Sequence, residues 1–458
     1  MQRAYRHIEL DAASRSPSLM RRAIVLLAWP VAAEMSLHTI TQVVDMAMVG
    51  RLGPASVAAV GLSFRPLFFV MSIFLGIGGG TTALVARFIG AEDRNLANRT
   101  IHQALLFAAP LSFALAALLA IFSHYVVVFM GAAPDVLPLG SDYVRFMSPG
   151  IMLSHLGMVA TAGLRGAGDT RTTMRVNAGV NVLNITLNYI LIFGHLGFPA
   201  LGVRGAAIAT STARGIGGLV ILALLCRGGL ILHLPWPSLN RWDRELVLRI
   251  LRVGLPAMME RVLNSSAMIL QLKMLATQGT TVVAAATLAQ NLEELSFLPA
   301  IGLSVAASTL VGQMLGRRDP DTAEQAGWQS SYLGAAFMGT MGLLFLIAPR
   351  MLLNIYGAEG HLLSMGVSFL RIVGLFQIPM ALSNILAGGL RGAGDTASVM
   401  YITSFTTWGI RLGLTALVLF VLKLGPVAAY AALCADWFIR AIILGFRFRR
   451  GAWKEQEV

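Results

Sequence analysis

The octapeptide GLRGAGDT occurs twice in this chain, at residues 163–170 and again at residues 389–396. Eight identical residues that recur 226 positions apart indicate an internal duplication. The same offset aligns the two halves in one register over about 145 residues. The chain is therefore predicted to contain two copies of one structural unit. Aligned pairs include Pro30 with Pro256, Glu34 with Glu260, Gly53 with Gly279 and Met174 with Met400.

The composition is that of a membrane protein. Of the 458 residues, 56% are hydrophobic and 12% are charged, and the charged fraction of a soluble domain is about 25%. Apolar runs recur along the whole chain, and about 20 residues are enough for a helix to cross the hydrocarbon core. These runs are continuous and longer than the ~10 alternating residues of an outer-membrane strand. They predict transmembrane helices.

Twelve apolar segments are predicted to span the membrane, six in each half. An even number of spans returns the chain to its starting side, so the two copies share one orientation. Parallel repeats of this kind are typical of transporters that hold a substrate between two halves. We therefore predict an all-α polytopic membrane protein with twelve transmembrane helices in two parallel-repeat six-helix bundles around a central cleft. The predicted spans are 23–49, 55–80, 101–126, 142–163, 173–194, 203–226, 247–277, 282–312, 326–348, 364–389, 398–421 and 426–446.

The net charge of +13 is distributed unequally between the two sides of the membrane. With the amino terminus inside, twenty-three Lys and Arg residues fall on the inner side and four on the outer side. This asymmetry follows the positive-inside rule, so the charge reports topology and no nucleic-acid partner is expected. We expect an inner or plasma membrane protein with cytoplasmic termini and no cleaved signal peptide. The expected segments are an N-terminal segment 1–22, an N-lobe 23–226, a cytoplasmic linker 227–246, a C-lobe 247–446 and a C-terminal tail 447–458.

The octapeptide itself predicts a helix-turn-helix joint at the cytoplasmic face. Its glycines suit a helix end and a tight turn, and Asp169 or Thr170 is placed to cap the next helix, as is Asp395 or Thr396 in the second copy. The arginine of each copy is expected to meet lipid phosphate or the neighbouring aspartate. The motif lacks the full GxGxxG pattern and a following lysine, so it is not expected to bind phosphate groups of a nucleotide.

Asp45 is the first candidate for transport chemistry. An ionisable residue inside a span is costly and indicates function by default. Asp45 lies about 20 residues into the first span at 1.5 Å per residue, which places it in the outer half of the membrane. Its counterpart in the second half is Gln271, so the acid belongs to the first half alone. The alternative is a structural acid that pairs with an arginine.

A polar stripe on the fifth span and two positions of the sixth are predicted to surround Asp45. Asn177, Asn181, Asn184 and Asn188 fall at i, i+4, i+7 and i+11, on one helix face. Amides have no partners in lipid, so this face is expected to contact protein or water. Asn184 and Asn188 lie deep in the span, and Ala206 and Thr210 come early in the returning one. The expected ion-coupling set is Asp45, Asn184, Asn188, Ala206 and Thr210.

Other polar residues within spans are predicted to line the substrate cleft. Glu34 and Glu260 occupy equivalent positions one turn after a proline, where they either face the cleft or stabilise a kinked helix. A structural ion pair is expected between Arg411 and Asp436 of the last two spans. The expected cleft residues are Glu34, Glu260, Glu293, Asn181 and Gln290.

Several motifs in order resemble a known family. LRGAGDT closes the fourth and tenth spans, PVAAEMSLHTITQVVDMAMVGRLG forms much of the first, and EELSFLPAIGLSVAASTLVGQMLG forms much of the eighth. Together, over residues 20–446, they resemble the multidrug and toxic compound extrusion (MATE) transporters, and VVDMAMVGRLG looks closest to the DinF-like branch. The resemblance implies export of cationic, amphipathic organic compounds in exchange for Na⁺ or protons, with no organic cofactor.

The resemblance also implies an ion site. In the DinF-like branch the site is formed by an aspartate of the first helix, an Asn and an Asp of the fifth, and an Ala and a Thr of the sixth. Asp45, Asn184, Ala206 and Thr210 match this pattern, and Asn188 departs from it where a second carboxylate is expected. Oxygen ligands suit Na⁺ and a lone buried carboxylate suits a proton, so this loss favours the proton. If the ion is Na⁺, its expected ligands include Asp45, Asn184 and Thr210.

Two other functions compete with drug export. A lipid-linked oligosaccharide flippase of related fold would favour a strongly cationic cleft, whereas acids dominate the candidate positions here. An intramembrane lipid-modifying enzyme would need paired aspartates, a His cluster or Ser with His, and the histidines are scattered. We therefore expect a transporter that is not an enzyme, acts as a monomer and contacts membrane lipid and a small cationic or amphipathic substrate.

Overall fold

The computed structural model describes residues 16–234 and 242–456 of the chain, and every regular element in them is helical. Twelve long helices are labelled here in chain order, and two short helices, Ser123–Phe129 and Pro349–Asn354, are left unlabelled. The long helices are α1 Pro17–Gly50, α2 Pro54–Gly90, α3 Arg94–Ile121, α4 Leu137–Gly166, α5 Thr170–Phe193, α6 Gly202–Arg227, α7 Arg244–Ala276, α8 Thr280–Gly316, α9 Pro320–Ile347, α10 Gly360–Gly392, α11 Thr396–Val421 and α12 Pro426–Arg450.

Each predicted span coincides with one long helix, which confirms the all-α fold class. By length and apolar composition, ten of the helices in the described residues are able to cross a membrane. The other two, α4 and α7, are as long but contain no 18-residue stretch that meets the same standard of apolar composition. The helices extend beyond the apolar runs because capped polar turns continue them. As a result α7 begins inside the predicted linker, and α12 continues into the predicted tail.

The chain divides into two compact units, and the division differs from the predicted lobes. One, called the N-unit here, is Ala33–Leu255, and the other, the C-unit, is Met1–Ala32 together with Pro256–Val458. Helix α1 therefore leaves one unit and enters the other close to Pro30, and α7 does the same at Pro256. The predicted lobes 23–226 and 247–446 keep every span whole, whereas these two units divide α1 and α7.

The first turns of α1 belong to the C-unit and the first turns of α7 to the N-unit, because each packs against the core of that unit. This arrangement is called the exchange of helix starts here. In the C-unit, Met20, Ile24 and Ala28 of α1 form one core with residues of α8, including Leu303 and Ala307. A Cβ atom added at Gly302 of α8 would lie 2.5 Å from the carbonyl oxygen of Ala28, so only glycine permits this approach. Apolar periodicity predicts that a span exists but not which helix it contacts, so the sequence could not reveal the exchange.

The N-unit contains the equivalent contact. A Cβ atom at Gly254 of α7 would lie 2.6 Å from the carbonyl oxygen of Gly76 on α2. The offset of 226 residues relates Gly76 to Gly302 and Gly254 to Ala28. The two close helix contacts are thus one feature of the repeated unit, present in both copies.

Both copies of the octapeptide form a tight joint between two helices. Gly168 has φ 81° and Gly394 has φ 92°, a left-handed conformation that glycine adopts at low cost. In the first copy the Asp169 carboxylate accepts hydrogen bonds from the Thr172 amide at 3.2 Å and the Thr172 hydroxyl at 2.8 Å. The predicted joint and this cap are therefore confirmed.

The second copy differs at the capping position. The Asp395 side chain makes no capping hydrogen bond and is instead an ion pair with Arg447 of α12, with nitrogen–oxygen distances of 2.9 and 3.0 Å. The predicted cap at Asp395 is wrong because a basic residue from the last helix reaches the carboxylate. The same sequence motif thus makes a local cap in one half and a contact between distant helices in the other.

Helix α11 contains π-helical turns at Phe405–Leu412 and Leu417–Val421. Its counterpart α5 is a regular α-helix. A π turn adds a residue per turn, interrupts the regular ladder and is frequent at functional sites. This local geometry sets the direction of Arg411 at the end of the first π segment.

Replacing Gly254 by alanine is expected to destabilise the N-unit, because the new Cβ atom would overlap the Gly76 carbonyl. Overpacking of a close contact typically costs about 1–3 kcal/mol, so the thermal midpoint of the purified protein should fall by several degrees. Gly61→Ala is the matched control, because nothing lies within 4 Å of the corresponding Cβ position. Equal midpoints for the two variants would contradict the close helix contact.

Candidate ion and substrate sites

Asp45 lies in a polar site built by α1, α5 and α6 of the N-unit. The Asn188 amide donates a hydrogen bond of 2.6 Å to Asp45 Oδ1. Asn188 and Asn184 are almost fully buried, and Thr210 is 6% exposed. An α-helix presents residues four apart on one face, so the two asparagines reach the carboxylate together. The carboxylate is therefore held by amide donors rather than by a cation.

The hydrogen-bond network assigns the orientation of the Asn184 amide. Its Nδ2 faces Asp45, at 3.0 and 3.1 Å from the two carboxylate oxygens, while its Oδ1 accepts from the Thr210 hydroxyl at 3.1 Å. The Oδ1 atom of Asn188 is buried and has no hydrogen-bond partner within the described part of the chain. A buried acceptor without a donor is costly, so this oxygen is able to accept a hydrogen bond from a proton donor or to contact a cation.

Ala206 completes the set of five residues predicted to converge. It is 5% exposed and packs with Val49 of α1 and Ile192 of α5, one turn before Thr210 on α6. The structure thus brings Asp45, Asn184, Asn188, Ala206 and Thr210 together on three neighbouring helices. The helical stripe and the depth argument were sufficient to predict this cluster.

Arg214 is a member of this region that the sequence analysis did not identify. It lies one turn after Thr210 on α6, and its charge acts on Asp45, His38 and His155. Across residues 16–234 and 242–456, however, no basic side chain forms an ion pair with Asp45, so the structural-acid alternative is not supported. The missed signal was an arginine in the middle of an apolar span, which is as unusual as the aspartate.

Glu34 and Glu260 form ion pairs with the arginines of the repeated octapeptide. Glu34 Oε1 accepts from Arg165 at 2.7 Å and from the Asn177 amide at 2.7 Å. Glu260 Oε1 accepts from Arg391 at 2.8 Å. The octapeptide arginines thus contact glutamates that the sequence analysis had not assigned to them, and the cleft role of Glu34 and Glu260 stays a prediction. The alternative, stabilisation of the kinked helices, fits these contacts.

A cavity of about 320 Å³ lies within the C-unit, between α7, α8, α11 and α12. Glu293 and Gln290, both predicted as cleft residues, lie on its wall, together with Gln271, the counterpart of Asp45. Asn181 belongs to the N-unit and is not part of this cavity. Ligand sites of about 300–1,000 Å³ are mostly apolar with a few placed polar groups, and this cavity also contains Met268, Phe297, Met380 and Trp437.

Two arginines share one carboxylate beside this cavity. Arg411 and Arg440 contact different oxygens of Asp436, at 2.8 and 2.6 Å, so the predicted Arg411–Asp436 pair is confirmed. Arg440 also donates to the hydroxyls of Thr406 and Thr407 at 2.9 and 2.7 Å. Both guanidinium groups lie over the Trp437 ring, 5.1 and 4.7 Å from its centroid. The arrangement fixes two positive charges in the wall.

Comparison with known proteins gives a consistent result. The model of the MatE family matches residues 30–190 and 256–417, two segments that begin at the same offset as the octapeptides. A probable multidrug resistance protein NorM of Thermotoga maritima is 30% identical over 96% of this chain and 94% of its own length.

Solved structures extend the likeness to the fold. A crystal structure of MATE in the bent conformation has a TM-score of 0.88 and 25% identity, covering 96% of this chain and 97% of its own. A crystal structure of MATE in the straight conformation has a TM-score of 0.87 and 26% identity, and the match covers 95% of this chain and 97% of its own. Relatives carry the NorM name, and the DinF-like assignment stays a prediction.

The Glu34–Arg165 pair is expected to couple energetically. Glu34→Gln, Arg165→Gln and the double variant form a cycle, and contacting residues typically show an interaction energy of about 0.5–3 kcal/mol. The exposed pair Asp142–Arg204 is the control, with an expected coupling below about 1 kcal/mol. Thermal unfolding of the purified variants measures the coupling energies of both pairs. Additive effects at Glu34 and Arg165 would contradict a stabilising role.

Proposed function

Because the chain belongs to the MatE family, we propose that it is a secondary antiporter that exports cationic, amphipathic organic compounds in exchange for an ion. It is a multi-pass membrane transporter and not an enzyme. The observation that carries the proposal is the Asp45 carboxylate, which lies inside a span with amide donors and forms no ion pair with any residue of 16–234 and 242–456. The cost of such a group is accounted for if it binds and releases the coupling ion.

The coupling cycle follows from the charge of Asp45. In the ionised form, the two asparagine amides stabilise the carboxylate. When an ion binds, this charge is neutralised, and the amides can turn so that the oxygen of Asn188 gains a partner. A ligand shifts the balance between two conformations by its differential affinity for them. Binding of the ion from outside and of the substrate from inside would thus alternate in a rocker-switch cycle.

We propose a proton as the coupling ion, with Na⁺ as the alternative. Asn184 and Asn188 present nitrogen to Asp45 in this structure, and Na⁺ requires oxygen ligands. Asp45 is the one carboxylate of the five-residue cluster, so the cluster lacks the second anion that would favour Na⁺. A protonated Asp45 can donate to Asn188 Oδ1, which satisfies the buried acceptor.

The expected topology supports the same direction of transport. From the positive-inside asymmetry we propose that both termini lie in the cytoplasm and that the membrane is a bacterial-type inner or plasma membrane. We propose a monomer surrounded by lipid, since each compact unit contains its own packed core. The flippase alternative gains no support from the relatives, whose names are those of multidrug resistance proteins or transporters.

Asp45→Asn is expected to abolish ion-driven efflux, because the amide can neither bind a proton nor carry the charge that attracts an ion. The measurement uses purified protein in liposomes and a fluorescent cationic dye, with a pH gradient and a Na⁺ gradient applied separately. Asp142→Asn, which removes an exposed carboxylate of the same unit, is the control and should retain transport. Full efflux by Asp45→Asn under either gradient would overturn the assignment.

Asn188→Asp is expected to increase the Na⁺ dependence of transport. The substitution adds a second carboxylate and supplies oxygen in place of the amide nitrogen that faces Asp45. Dye efflux driven by a Na⁺ gradient should rise relative to efflux driven by a pH gradient. Asn181→Asp, on the same helix outside the five-residue cluster, is the matched control. If wild type already responds to Na⁺ alone, the proton assignment fails while the antiport function stands.

A further inference from the structure

The two short helices of the fold, Ser123–Phe129 and Pro349–Asn354, are one feature of the repeated unit. The offset of 226 residues relates the start of the first to the start of the second. The first follows the end of α3, and the second follows the end of α9. Neither contributes a residue to the Asp45 cluster or to the wall of the C-unit cavity, so the proposed function does not account for them.

One side of each short helix is fixed against the next long helix. Val127 of the first and Leu353 of the second are fully buried and occupy equivalent positions. A Cβ atom added at Gly140 of α4 would lie 2.9 Å from Val127 Cγ1, and one added at Gly366 of α10 would lie 3.1 Å from Leu353 Cδ1. These two glycines are also 226 residues apart. The same contact thus holds the short helix in both copies, and its opposite side points away from the core of its unit.

The opposite side of each short helix is apolar and strongly exposed. Tyr125 and Phe129 are 68% and 85% exposed, and their counterparts Met351 and Ile355 are 70% and 74% exposed. The same face is already exposed at the end of the preceding long helix. We call the complete row the outer stripe, and it comprises Leu118, Ile121, Tyr125 and Phe129 in the N-unit and Leu344, Ile347, Met351 and Ile355 in the C-unit.

The outer stripe is continuous with the surface of a membrane span. Its residues recur at a spacing of three or four, so they extend one face of α3, or of α9, into the short helix that follows. None of the eight positions holds a charged residue. A continuous exposed apolar row indicates a surface that contacts membrane or another protein. Because α3 and α9 are able to span the membrane, continuity favours lipid as the occupant.

The depth of the first short helix follows from the length of α3. This helix rises about 30 Å between Ile101, where its apolar run begins, and Ile121, which equals the thickness of the hydrocarbon core. The short helix therefore begins where the hydrocarbon ends. Tyr125 suits this depth, because tyrosine has an apolar ring and a polar hydroxyl. His124 and Arg350, at equivalent positions beside the stripe, have polar ends that can reach the headgroups.

We propose that the two short helices are interfacial membrane anchors, with the outer stripe covered by lipid of the leaflet opposite the octapeptide joints. Each joint lies at the far end of α4 or α10 from the short helix. An amphipathic helix resists displacement from the interface in either direction, because its apolar side would lose lipid or its polar side would lose water. The anchors therefore fix the level of each compact unit in the bilayer.

The test is site-directed spin labelling of the full-length protein in liposomes of phosphatidylethanolamine and phosphatidylglycerol. Cys226→Ser and Cys434→Ser first remove the native thiols. Collisions of the nitroxide with oxygen, which concentrates in lipid, are compared with collisions with a water-soluble nickel chelate, and the ratio gives the depth of the label. The labelled single-cysteine variants are Tyr125→Cys, Phe129→Cys, Met351→Cys and Ile355→Cys.

All four labels should be buried about 5–10 Å into the boundary between headgroups and acyl chains, the depth typical of interfacial helices. Leu118→Cys, on α3, is the control for lipid and should lie deeper. Asp135→Cys and Glu359→Cys replace exposed polar residues that follow the short helices, so they are the controls for water and should collide freely with the chelate. Size-exclusion profiles verify that each labelled variant is folded.

Two results would overturn the proposal. Collisions with the nickel chelate as frequent as at Asp135 would show that water covers the outer stripe. Few collisions with either reagent would show that protein covers it, for example a second copy of this chain. The measurement requires no transport, so its outcome is separate from that of the proposed export function.

Discussion

Two equivalent ion pairs, Glu34 with Arg165 and Glu260 with Arg391, each connect two helices within one compact unit. Each joins the octapeptide at the end of one helix to another helix at the point where that helix has just entered its unit. The glutamates are nearly buried, so loss of one partner would leave a charge without compensation. In both copies the arginine of the octapeptide therefore makes the same contact with the helix that has entered the unit.

The two copies keep this anchor and differ in their chemistry. In the first half a carboxylate lies among amides on α1, α5 and α6. At the equivalent position the second half has Gln271, which lies on a cavity with two arginines and two glutamates. Duplication supplied one framework twice, and substitutions on the inward helix faces then gave the halves different sites. A transporter that must couple an ion to a varied ligand benefits from such a division.

Much of this could be predicted from the sequence because it depends on periodicity. Apolar runs gave the twelve spans, one offset gave the repeat, and an asparagine stripe placed Asn184 and Asn188 beside Asp45. The partners of Arg165 and Arg391 could not be predicted, because each lies 131 residues away and no local rule connects them. The exchange of helix starts depends on glycine contacts such as Gly254 with Gly76, which hydropathy does not register.

Arg214 shows how the charges of the N-unit constrain the mechanism. Asp45 and Arg214 carry charges of opposite sign. Their combined charge is therefore zero when Asp45 is ionised and positive when Asp45 holds a proton. This pair therefore never presents a net negative charge that would attract an organic cation strongly. Attraction of an ammonium group must then come from other carboxylates, and Glu293 and Glu294 lie on a cavity wide enough for a ligand. If the proposed function holds, ion binding belongs to the first copy of the repeat and ligand binding to the second, and a conformational change has to connect them.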